Sequence, residues 1–134
     1  MNAPDTLLFI HAGFMIIGFL SMVAGASAAM FMRRKGWWLR FHKGAGFFGT
    51  TCVLSGFIAA VSMIALSAGE HLQITHHYLG VITVVVAVLT PLLGIIQFKV
   101  KGQVAHIRAM HRWSGRVTLL SALVTVVSGL LIIV

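Results

Sequence analysis

The sequence predicts an all-α membrane protein, an up-down bundle of four transmembrane helices, and three observations carry that reading. Of its 134 residues, 59% are hydrophobic and only 9% are charged. The mean hydropathy is +1.01. The apolar residues also fall into four long runs, parted by short breaks that carry charge or glycine. A soluble domain carries about 25% charged residues. This chain cannot cover a globule with polar groups, which excludes a soluble enzyme. Residues 1–134 are therefore expected to form a single transmembrane domain, with helices of about 7–32, 39–68, 74–98 and 106–134.

Each span follows from its own residues, since crossing a core of about 30 Å takes roughly 20 apolar residues. The first run stops at Arg33-Arg34-Lys35-Gly36. Its Ala26-Ser27-Ala28 has the form of a cleavage site. Its leading residues, however, carry Asp5 and no base, and the run is too long for a signal peptide. The second run follows Trp37-Trp38 and closes at Ala68-Gly69-Glu70. The third ends at Lys99-Val100-Lys101-Gly102 and contains Pro91, which a membrane helix tolerates when neighbours cover the freed carbonyl. The fourth runs to the end of the sequence. Connections this short make neighbouring helices antiparallel.

Charge sets the expected orientation. Arg33, Arg34, Lys35, Arg40 and Lys43 surround the first connection, and Lys99, Lys101, Arg108, Arg112 and Arg116 the third. With four spans these lie on one side, and both acids, Asp5 and Glu70, lie on the other. The positive-inside rule puts the basic side in the cytoplasm and both termini on the non-cytoplasmic side. The net charge of +8 then needs no nucleic acid to explain it; lipid headgroups and an anionic reactant suffice.

Composition also narrows the chemistry. Two acids exclude di-iron sites and paired-carboxylate hydrolysis. A single cysteine, Cys52, excludes disulfides, zinc knuckles and covalent c-type haem. Histidine is what remains in excess, with seven in the chain. Four of them head the spans: His11, His42, His76 and His111. Spans one and three run the same way, so His11 and His76 share a depth on the outer side. His42 and His111 share one on the cytoplasmic side. Two histidines per level, on helices that can face each other across a bundle, suit bis-histidine ligation of two b-type haems. Two imidazoles alone make a poor zinc site. A metal transporter would place ionisable groups near the midplane, where this chain has Gly, Ala, Thr and Val.

Small residues repeat behind each histidine. His76, Gly80, Thr83, Ala87, Thr90 and Gly94 match His111, Gly115, Thr118, Ala122, Thr125 and Gly129. His11, Gly18, Gly25 and Ala29 match His42, Gly49, Gly56 and Ala60. These offsets keep one helix face. Gly56 and Gly129 are expected to make room for the outer haem, and Gly25 and Gly94 for the cytoplasmic one. His77 would point about 100° away from its neighbour and is not expected to ligate. His71 is expected in the outer connection and His106 at the cytoplasmic rim.

At these residues the sequence resembles the cytochrome b561 family of transmembrane di-haem electron carriers. His76-His77-Tyr78-Leu79-Gly80 resembles the family's opening of a ligand helix, and His111-Arg112-Trp113-Ser114-Gly115 repeats it. Phe41-His42-Lys43 with Gly46 resembles the second-helix ligand, and His11 with Gly18 the first. The resemblance covers the family's four-helix core and implies the same ligand pairing. It also implies a cytoplasmic ascorbate site with bases two and six positions before the second-helix ligand. Here Arg40 fills the first position and Gly36 stands at the second.

The expected function is transmembrane electron transfer by a b-type cytochrome with two haem b per chain. Electrons would pass from a cytoplasmic-side reductant to an outer-side acceptor, as in a transmembrane oxidoreductase. Arg40, Lys43, Arg108 and Arg112 suit an anionic reductant of ascorbate type. The alternative is a haem-bearing anchor subunit that links quinol to a periplasmic redox protein. Expected partners are that donor and acceptor and membrane lipid, and a homodimer is compatible with the sequence.

Overall fold

A computed structural model describes residues 3–67 and 74–133. Glu70 and His71 lie outside them. The described residues form four helices: α1 (Ala3–Phe31), α2 (Trp38–Leu66), α3 (Thr75–Lys99) and α4 (Val104–Ile133). All four are long and apolar enough to cross a membrane. α1 starts at Ala3 rather than near 7, and α4 at Val104 rather than near 106. Ala3 to Thr6 extend the first helix, and Val104 and Ala105 the fourth.

α1 packs along α2, and α3 along α4, as two antiparallel hairpins. The hairpins meet through α1–α4 and α2–α3, leaving α1 and α3 across one diagonal and α2 and α4 across the other. Glycine sets the first hairpin's spacing. A Cβ on Gly18 would stand 3.0 Å from the Gly49 carbonyl oxygen, and one on Gly49 would stand 2.9 Å from that of Gly18. Such contacts let membrane helices approach closely. The second hairpin is joined by hydroxyls instead: Thr83 to Thr125 and Thr90 to Thr118, each at 2.8 Å. Ala87 and Ala122 are buried between them.

Pro91 sits inside α3 without breaking it. Its missing N–H leaves the Ala87 carbonyl without its helical partner. Thr50 of α2 donates its hydroxyl to that oxygen at 3.1 Å. Leu20, Ile58, Leu92 and Leu131 are exposed around the bundle. A surface this apolar suits lipid rather than water.

Candidate functional site

The four span-heading histidines meet in two pairs across the diagonals. The His11 and His76 rings lie 6.2 Å apart between centres, and those of His42 and His111 lie 5.9 Å apart. Gly25 stands fourteen positions beyond His11 on α1 and lies against the backbone of His42 and Gly46. The pairs therefore occupy opposite ends of the bundle.

Each ring is held through Nδ1. His11 donates to the Gly56 carbonyl at 2.9 Å and His42 to the Gly25 carbonyl at 3.0 Å. His111 donates to the Thr90 carbonyl at 2.9 Å. His76 bonds the Ser128 hydroxyl at 2.9 Å, and that hydroxyl gives its own hydrogen to the Thr125 carbonyl. Ser128 oxygen must then accept from His76. A carbonyl can only accept, so all four Nδ1 atoms carry the proton and all four Nε2 atoms keep a lone pair. This is the arrangement of a metal-binding imidazole, whose second nitrogen is anchored by an outer partner.

The pair spacing fits one metal ion between two rings. A metal–nitrogen bond of about 2 Å, plus roughly 1 Å from nitrogen to ring centre, gives about 6 Å between centres. Among the described residues no group of three His, Cys, Asp or Glu side chains converges. Each pair thus offers two imidazoles and no third protein ligand among the described residues. Beside the first pair an almost wholly apolar cleft of about 740 Å³, its open side included, is lined by His11, Met15, Ala60, His76, Thr125 and Gly129. His77 lines the same cleft, and its Nδ1 is buried with no hydrogen-bond partner among the described residues. A lone polar atom in an apolar cleft calls for a polar group on the occupant.

The four predicted glycines divide into two kinds. A Cβ on Gly129 would stand 2.9 Å from His76 Cε1, and one on Gly94 would stand 3.1 Å from His111 Cε1. Gly25 and Gly56 lie at the α1–α2 contact and present carbonyls to His42 and His11. Sequence reasoning missed Ser128, although a hydroxyl one place before Gly129 was its signal. It also gave Trp38 no part in the site, whereas its ring lies 6.5 Å from that of His42.

Arg40, Lys43, Arg108 and Arg112 are all exposed, on the α2 and α4 turns that carry His42 and His111. Lys43 Nζ lies 4.3 Å above the Phe98 ring of α3. His106 is exposed in the first turn of α4.

No curated protein and no solved structure matches the chain. The family model for eukaryotic cytochrome b561 matches residues 10–133, which takes in all four histidines and both hairpins. Membrane helices, paired imidazoles with free Nε2 atoms and this match agree: the chain belongs to the cytochrome b561 family, membrane haem proteins of electron transport.

Proposed function

We propose that this chain carries electrons across the membrane through two haem b groups, one held by His11 and His76 and the other by His42 and His111. The observation that carries the proposal is the matched pair geometry, with ring centres 6.2 and 5.9 Å apart and every Nδ1 tied to a neighbouring helix. Bound haem b supplies one-electron chemistry at its iron.

The chain's own residues do the rest. The Nδ1 bonds fix the rings before a ligand arrives, so little freedom is lost on binding. Gly94 and Gly129 leave space at the imidazoles of His111 and His76, and Gly25 and Gly56 bring the ligand-bearing helices together. His77 Nδ1 is positioned to hold a propionate at the first pair. At the other end Arg40, Lys43, Arg108 and Arg112 draw an anionic reductant of ascorbate type, on the cytoplasmic side by the charge rule. Both termini then lie on the non-cytoplasmic side.

A pyridine haemochrome assay on the purified protein tests this reading. Two haem b per chain are expected in wild type and one in His76→Ala or His42→Ala, with different spectra surviving in each variant. One haem or none in wild type would overturn the pairing.

A further inference from the structure

We propose that Trp113 and Arg116 form a binding site for the phosphate of a membrane phospholipid, on the outside of α4 at the basic end of the bundle. The site is independent of the haem pairs. Arg116 is the Lys or Arg farthest inside a helix among the described residues. It stands five residues beyond His111, or about 7.5 Å along the axis and roughly 140° around it. That turn directs it away from the bundle, and it is exposed.

A cation at this depth is costly without a counter-charge, and among the described residues none stands nearby. The chain's only acids are Asp5, in the first turn of α1, and Glu70, in the connection after α2. Asp5 belongs to the opposite end, and Glu70 lies outside the described residues. The Arg116 guanidinium instead lies over the Trp113 ring at 4.8 Å. Trp113 is one turn nearer the start of α4, so the side chain reaches back toward the basic end. Helical side chains lean this way, and snorkelling arginines use the same path to the interface. Among the described residues no hydrogen bond or ion pair engages Arg116, so the fork keeps its donors for a ligand. Arginine matches phosphate oxygens two at a time.

The surface beyond the pair selects the source of that phosphate. Val117, Leu120, Val124 and Val127 continue the exposed stripe along α4. They offer an acyl chain a smooth aliphatic track. A second helix carrying a carboxylate would pack poorly there, because close helix contact needs small residues. Cation, aromatic ring and aliphatic track together fit one phospholipid.

The test is native mass spectrometry of the purified protein in mild detergent, with phosphatidylglycerol as probe. Wild type is expected to retain one lipid under activation that strips the others. Arg116→Gln is expected to lower that occupancy about tenfold, the loss of one charge-assisted contact, while Arg34→Gln keeps it. Circular dichroism checks folding. If Arg116→Gln does not fold, Trp113→Leu is read instead, with a several-fold loss expected. Undiminished retention in whichever variant folds overturns the proposal. Two other results also overturn it: displacement of the lipid by millimolar inorganic phosphate, and a co-purifying acidic membrane protein that is lost with Arg116→Gln.

Discussion

The Thr50 hydroxyl donates to the Ala87 carbonyl at 3.1 Å, and that carbonyl is the one Pro91 leaves bare. One side chain of α2 thus repairs the defect in α3 and ties the two hairpins together. Thr50→Val keeps the shape and removes the donor, and is expected to cost about 1–3 kcal/mol. In a Pro91→Ala background an amide is available to Ala87, so the same change should cost much less. Thermal unfolding of the four proteins in the cycle measures the difference. Equal costs in both backgrounds would show that the bond does not serve the proline.

Gly129 faces the ring of His76, whereas Gly80, on the same stripe pattern, faces open space. A Cβ at Gly129 meets the His76 ring at 2.9 Å, whereas one at Gly80 meets nothing within 4 Å. Gly129→Ala is expected to shift the spectrum and potential of the His11–His76 site, at an overpacking cost of about 1–3 kcal/mol. Gly80→Ala should leave both unchanged. A redox titration followed optically reads the two variants side by side, and identical curves would remove Gly129 from the site.

Ser128 is the side-chain anchor of His76. Ser128→Ala is expected to speed haem loss from that site about 10-fold, the lower range for an outer partner of a ligand. Ser128→Thr should restore retention, because it returns the hydroxyl. Transfer to apomyoglobin measures the rate, and the His42–His111 site serves as internal control. Unchanged transfer in Ser128→Ala would mean that the neighbouring Thr125 backbone holds the ring by itself.

At the basic end, Arg40→Ala with Arg112→Ala is expected to slow reduction by ascorbate several-fold at low salt. Added salt should shrink the difference, since exposed charges are screened over about 10 Å at 0.1 M. Stopped-flow reduction across ionic strength gives the comparison. Equal rates that ignore salt would favour a neutral quinol or a protein donor.

Much of this molecule was legible in one dimension. The four spans follow from run length, and the pairing of His11 with His76 and His42 with His111 follows from the alternation of helix direction. The repeated offsets behind each histidine, read as room for haem, also serve reciprocal contacts, because antiparallel helices with the same register can meet head to tail. Gly18 meets Gly49, and Thr83 meets Thr125. Ser128 was harder to find: it lies one residue off the stripe, and periodicity says nothing about which hydroxyl a ring will reach.

The sequence by itself determined that the chain spans a membrane four times, segregates its bases to one side and carries a histidine near the head of every helix. Those properties depend on composition and spacing, which survive any choice of packing. Only the tertiary structure decided that Gly25 and Gly56 serve as hydrogen-bond acceptors while Gly94 and Gly129 seat imidazole rings. Glycine on a helix face permits either arrangement. The distance between the two helices selects one, because a ring can reach a carbonyl only where the backbones have come close enough.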